Sequence, residues 1–258
     1  MKKILTAALA VLAAGIMMNS CAKKTDSFVL GLDDSFPPLG FRDENNEIVG
    51  YDIDLAKEVC KRLGLEFKAQ PIDWSAKEQE LSTGSITCIW NGFTMTPERT
   101  EKMAFTAPYL NNAQVAVVRV DSGIKTLADL AGKKVGVQSE SSAIYAIDSL
   151  PDFKSSLASL IEFKENVTAL NDLEVGNLDA VILDEVVASY KIKTSGKPLV
   201  VIEEPLANEE YGIAFAKGNE ALRDKVQAAL EEMAKDGTVA KIDEKWFGRS
   251  LSVISVKE

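Results

Sequence analysis

The sequence predicts an α/β protein built of largely parallel sheets flanked by helices. Three observations carry that expectation. Short apolar, β-branched runs alternate with helical stretches along most of the chain. Within 52–63, Leu55, Val59 and Leu63 recur at i, i+4 and i+8, and Gly64 follows as a stop. The segment Ile86–Arg99 joins an apolar run to a helix start through Asn91-Gly92, as strand-to-helix turns in layered folds do.

Taken in order, the first strand is read at Phe28–Leu32 and the first long helix at Asp52–Leu63. A strand follows at Leu65–Ile72, a short helix at Ala76–Ser82 and a buried strand at Ile86–Trp90. Thr96 suits the N-cap of the next helix, Pro97 its first position and Glu98 its first turn. Gln114–Val120 is apolar and β-branched and marks a crossing between two layers. Beyond it lie a strand at Lys134–Val137, helices at Ser142–Ser149 and Glu165–Gly176, and a strand at Ala180–Leu183. Glu185–Lys193 is read as a helix, Leu199–Ile202 as a strand and Tyr211–Phe215 as the mirror of the first crossing. Two helices close the pattern, Glu220–Lys235 and Val239–Trp246.

Composition narrows the function. The formal charge is −10, and histidine is absent. Such an acidic chain has no general attraction for nucleic acid or anionic lipid, and it lacks the commonest general base and metal ligand. No Walker, GxSxG, HExxH or CxxC pattern occurs, so neither cofactor nor metal is expected and catalysis finds little support. Cys60 falls on the inner helix face and Cys88 in a strand. Buried free thiols are favoured there over a disulfide, which export would also permit.

The N-terminus reads as a targeting segment over 1–20: Lys2-Lys3, then an apolar stretch from Ile4 to Met18 too short to favour a permanent span. Met18-Asn19-Ser20-Cys21 resembles a bacterial lipobox, with Met18 and Asn19 departing from the usual residues. Cys21 is then the acylated first residue of the mature chain, with 21–27 as a short tether and lipid chains, palmitate among them, as anchors. An ordinary signal peptide with an incidental cysteine is the alternative.

The nine residues Asn91–Arg99, NGFTMTPER, place a helix N-terminus and a guanidinium beside a glycine turn, a fit for a small carboxylate. By itself this is also an ordinary turn with a surface arginine. Gly50-Tyr51-Asp52-Ile53-Asp54-Leu55 adds a second segment, which together with the first resembles the extracellular solute-binding proteins of family 3, the polar amino-acid receptors of ABC importers. Asp33-Asp34-Ser35-Phe36-Pro37-Pro38 and Gln70-Pro71-Ile72-Asp73-Trp74 are similar to that family's aromatic loops. Leu178–Asp184, Tyr211–Phe215, Lys235–Thr238 and Lys245–Gly248 follow in family order, so the resemblance runs from about Phe28 to about Gly248.

The resemblance implies a two-lobed type II periplasmic-binding-protein fold with two crossing segments. The first lobe is then discontinuous, 28–113 with 211–258, and the second is 114–210. It implies no enzymatic activity, a free amino acid as ligand, a permease–ATPase complex as partner, a monomer, and an extracytoplasmic place on the membrane.

Residue by residue, the resemblance assigns Arg99 to the ligand α-carboxylate, helped by the backbone of Gly92, by Thr94 and by Ser142. Asp184 takes the α-ammonium with the carbonyl of Asn91, and Gln138 lies in the loop before Ser142. Phe36 and Trp74 form aromatic walls, although each is also a fit for ordinary core. Asp33 leaves one surplus negative charge after Arg99 and Asp184 balance a zwitterion, which favours arginine, lysine or histidine. Glutamine or cystine remains the alternative. Glu140 stands where relatives commonly carry glycine, and it either faces solvent or adds an acid at the pocket mouth. A cyclohexadienyl dehydratase-like enzyme, with Glu140 as its acid, and a ligand-sensing module are the competing readings.

Overall fold

The computed structural model describes residues 26–255. The leader over 1–20, Cys21 with its lipid and the tether as far as residue 25 lie outside the described residues, and Ser27, expected in the tether, instead opens the first strand by pairing with Glu66. No helix among the described residues is long and apolar enough to cross a membrane.

Two sheets organise the chain. The first is ordered Glu66–Pro71, Ser27–Leu32, Cys88–Ile89, Ala214–Ala216, Met103–Phe105. Its first three strands are parallel, and Ala214–Ala216 runs antiparallel to both of its neighbours. The second is ordered Ser159–Phe163, Lys134–Gln138, Ala180–Asp184, Leu110–Arg119, Leu199–Val201, with Ala207–Tyr211 also paired to Leu110–Arg119. Ser159–Phe163, Lys134–Gln138 and Ala180–Asp184 are parallel, and every strand paired to Leu110–Arg119 is antiparallel to it. Each sheet is thus parallel where βαβ units build it and antiparallel where the chain arrives from, or leaves for, the other sheet.

Gln114–Val120, read as a crossing run, belongs up to Arg119 to the ten-residue strand Leu110–Arg119 in the second sheet, with Val120 in the turn that follows. Val115 and Val117 face one core, and Ala116 and Val118 face another. The β-branched run therefore reports a strand buried on both faces. The chain passes between sheets just before Leu110, and Tyr211, paired to Leu110, marks the return passage. The two passages run side by side as one antiparallel ribbon, a geometry suited to bending.

Helix Tyr51–Leu63 buries Ile53, Leu55, Ala56, Val59 and Cys60 and ends at Gly64 in the left-handed region, φ 66°. Helices Glu220–Lys235 and Thr238–Phe247 pack against it. Lys245 Nζ and Trp246 Nε1 both donate to Asp54 Oδ2, at 2.6 and 2.8 Å. Cys60 and Cys88 are free and buried.

Some elements are shorter or newer than the pattern predicts. The strand expected over Ile86–Trp90 is regular only at Cys88–Ile89, although Thr87 N and Trp90 N still bond to Val29 and Gly31 carbonyls. A small sheet of Ser35–Phe36, Gly40–Arg42 and Ile48–Val49 has strands too short to show any period. Strand Ser159–Phe163 and helix Pro151–Ser156 bury no residue fully, so they leave no hydrophobic signal.

Candidate ligand-binding site

The site lies where the strand ends of both sheets meet, the position at which open α/β sheets hold ligands. Asp33 follows strand Ser27–Leu32, and Asn91-Gly92 follow Cys88–Ile89. Gln138 ends Lys134–Gln138, and Asp184 ends Ala180–Asp184. Together with Phe36, Trp74, Arg99, Ser142 and Ser141 they enclose one small cavity. All the residues expected at the site line it except Thr94, which sits one bond away: its hydroxyl contacts Ser142 Oγ at 3.0 Å. The cavity is about 10 Å³, room for about one water molecule. A larger cavity of about 310 Å³ lies between helices Glu185–Ser195 and Thr238–Phe247, but its charged lining groups are exposed.

Arg99 is placed by local chemistry. Thr96 Oγ1 caps helix Pro97–Lys102 by accepting from Arg99 N, and Pro97 opens the helix. The guanidinium lies 4.3 Å above the Phe93 ring, and Nη1 donates to the Thr94 carbonyl at 3.1 Å. Only 8% of the residue is exposed, and burial holds the guanidinium below its ordinary pKa. Among the described residues no carboxylate lies within 4.0 Å of it. A buried cation without a counter-ion is costly unless an anion arrives.

Asp33 is the mirror case. Its Oδ1 accepts from Ser35 N at 2.8 Å and its Oδ2 from Gln138 Nε2 at 2.7 Å. Burial pushes its pKa up to about 6 despite those donors, and no basic group of the described residues pairs with it. Gln138 is itself fixed by Asn166 and by the Lys164 carbonyl. Asn91 Oδ1 accepts from Asp33 N at 3.0 Å, while its Nδ2 is buried without a partner.

Gly92 needs its residue type. Its φ is 56°, and a Cβ there would come within 2.6 Å of Leu39 and 3.0 Å of Phe36. Its N–H, expected to face the ligand, instead donates inward to Asp52 Oδ2 at 2.9 Å and Tyr109 Oη at 3.2 Å. The reason is that Asp52, fully buried in the first turn of its helix, needs donors. Burial still pushes Asp52 up to about 7.

Phe36 and Trp74 wall the cavity and are 5% and 8% exposed, so each serves core and site together. The Trp74 ring stands edge-on to Phe93, centroids 5.7 Å apart. Glu140 has an exposed side chain and lines an outer groove, not the cavity. Its φ of 55° is unusual for a non-glycine residue. That turn aims its carbonyl at Lys77 Nζ, 2.9 Å, and at Arg99 Nη2, 3.4 Å.

Sequence reasoning missed part of the polar wall. Asp184 Oδ1 accepts from Tyr211 Oη, from Asn112 Nδ2 at 2.9 Å and from Gln114 Nε2 at 3.0 Å. Glu209 Oε2 accepts from Thr94 Oγ1, Asn112 Nδ2 and Gln114 Nε2 at 3.0 to 3.1 Å. Gln114 was the available signal: a polar residue at the head of an apolar, β-branched run, and fully buried.

The family model for bacterial extracellular solute-binding proteins, family 3, matches residues 28–249. L-cystine-binding protein TcyJ of Escherichia coli strain K12 is 30% identical over 257 residues, covering 93% of this chain and 93% of its own. ABC transporter arginine-binding protein 1 of the same strain is 33% identical over 253 residues, covering 96% and 99%. The crystal structure of an ABC uptake transporter substrate binding protein from Streptococcus pneumoniae with bound histidine superposes with a TM-score of 0.86 at 35% identity, over 88% of this chain and 94% of that one. The chain belongs to the bacterial extracellular solute-binding proteins of family 3, with the type II fold, and is a binding protein and not an enzyme.

Proposed function

We propose that this protein is the lipid-anchored receptor of an ABC amino-acid importer and that it captures a basic L-amino acid, arginine, lysine or histidine. The observation that carries the reading is the set of buried ionisable side chains lining one cavity, Arg99, Asp33 and Asp184, none with an ion-pair partner within 4.0 Å among the described residues. A ligand complementary to them offers one carboxylate and two cationic groups, which describes a basic amino acid. Phe36 and Trp74 add π faces suited to a cationic side chain. Relatives named for arginine and a structure holding histidine support the same class.

The lobes are proposed as 28–113 with 211–258 and 114–210. Arg99, Asp33, Thr94 and the aromatic walls come from the first, and Ser142, Gln138 and Asp184 from the second. Ligand favours the closed arrangement because only there do both sets of groups reach it. With walls this close, the lobes part to admit the ligand and settle around it. Cys21 as lipid anchor, a monomeric state and delivery to a membrane permease driven by an ATPase complete the reading.

The test is a thermal-shift screen of the mature protein, stripped of carried-over ligand by unfolding and dialysis. Ligand at a hundred times its Kd adds about 2.7 kcal/mol, a readily visible shift. A shift confined to arginine, lysine or histidine supports the reading. Glutamine alone would leave the class standing and make Asp33 a neutral acceptor, whereas cystine alone, the ligand for which the relative TcyJ is named, would leave it standing with a second ammonium for Asp33. No shift with any amino acid would sink the proposal.

A further inference from the structure

Asp184 lines the cavity, and a second acid, Glu209, stands behind it on the same amide donors. Asp184 and Glu209 lie on strands flanking Leu110–Arg119, opposite Gln114 and Asn112 respectively. Asn112 Nδ2 donates to both carboxylates, at 2.9 Å to Asp184 Oδ1 and 3.1 Å to Glu209 Oε2. Gln114 Nε2 also donates to both, at 3.0 Å each. Two carboxylate oxygens held by the same pair of amide nitrogens are close neighbours. Neither has a basic side chain of the described residues within 4.0 Å. Like charges at such range favour retention of one proton between them.

We infer that Glu209 is the second acid of the ammonium subsite, and that the Asp184–Glu209 pair holds one proton without ligand and releases it when the α-ammonium binds. No covalent bond other than O–H changes: the proton leaves the pair for the buffer, and the ammonium becomes the counter-cation. The inference rests on the amino-acid reading above and deepens it.

The surroundings agree. Burial first, and then Glu209, push Asp184 up to about 7. The other groups that face the pair are Tyr211, which donates to Asp184, Arg99, and the hydroxyls of Thr94 and Ser142. Arg99 attracts both carboxylates from a distance but makes no ion pair with either within 4.0 Å among the described residues. The amide and hydroxyl donors favour the charged carboxylate and so oppose the proton, but burial and the neighbouring acid outweigh them at Asp184.

The test is calorimetry of the mature, stripped protein with arginine at pH 6.5, repeated in buffers of low and high ionisation enthalpy. The expected result is release of about half a proton or more per ligand bound, with affinity rising several-fold between pH 6 and pH 8. Asp33 also sheds a proton toward a cationic side chain, so the difference between wild type and Glu209→Gln isolates the pair. Glu209→Gln is expected to bind more weakly and to release measurably fewer protons. Should that variant not fold, glutamine titrated into the wild type separates the two ends, since its neutral side chain leaves Asp33 untouched. Binding enthalpy independent of buffer, or equal release from both proteins, overturns the inference while the amino-acid reading stands. An absence of heat with every amino acid overturns both.

Discussion

The side-chain amide of Gln138 donates a 2.7 Å hydrogen bond to Asp33 Oδ2, joining the strand ends of the two sheets across the cavity. An acid held this way is pre-positioned for a ligand side chain and also helps hold the sheets together. Asp33→Asn separates the two roles. The amide keeps one acceptor oxygen where the carboxylate has two, so either Gln138 Nε2 or Ser35 N loses its partner, and the charge is removed; arginine affinity is expected to fall by about 1.5–3 kcal/mol, the scale of a charge-assisted bond. Glutamine affinity is expected to change far less. Titration calorimetry of both ligands decides it, and an equal loss for the two would make Asp33 structural.

Arg99→Ala is expected to cost about 3 kcal/mol of ligand binding, on the scale for losing a buried charge partner. Arg99→Lys keeps the charge without the fork and is expected to recover only part of that loss. Affinity equal to the parent for the alanine variant would remove the carboxylate clamp from Arg99.

Much of the site was legible because Asp33, Asn91, Gly92, Gln138 and Asp184 fall at or just after strand ends, while Arg99 and Ser142 fall in the first turn of a helix. The helix cap at Thr96, the glycine at 92 and the acid after Leu183 are local signals, and family order tied them together. Glu209 and Asn112 were not legible, since their meaning comes from cross-strand pairing of segments nearly a hundred residues apart. The N–H of Gly92 was misassigned for a related reason: the competing acceptor, Asp52, sits forty residues away. The Glu140 side chain is exposed in an outer groove that it shares with Arg99 and Ser141, and its carbonyl turns inward.

The ligand-free protein is expected to lose stability as pH rises from about 4 to about 7, the reverse of common carboxylate behaviour. Asp33, at about 6, and Asp52 and Asp184, each at about 7, are all raised by burial. An unfolded aspartate titrates near 3.9, so the folded state holds these protons more tightly and stability falls as they leave. Exposed Asp236, lowered to about 2 by the Thr238 hydroxyl and Arg62, acts the other way, but only below about pH 4. Melting of the stripped protein at pH 5 and pH 8 checks the sign. A higher midpoint at pH 8 would contradict it, and saturating cationic ligand is expected to narrow the gap.

Lys77 supplies the last prediction. It is 2% exposed on the side of the first sheet, yet Nζ donates both to its neighbour Trp74 O, at 3.1 Å, and to Glu140 O of the second-sheet loop, at 2.9 Å. The ammonium also lies 5.1 Å from the Trp74 ring centroid. The bond to Glu140 exists only while the two sheets are together, so its free energy counts toward closure and not toward the open form. Lys77→Met keeps the stem that fills the space and removes the charge. Ligand dissociation is expected to speed up about tenfold, matching the loss of one charge-assisted bond of about 1.5 kcal/mol, with association little changed. Burial lowers the Lys77 pKa to about 8, so the wild type is expected to show the same acceleration on going from pH 7 to pH 9. Stopped-flow release rates measure both effects. An unchanged rate in the methionine variant would mean that closure is held by the ligand and the Asp33–Gln138 bond without this contact.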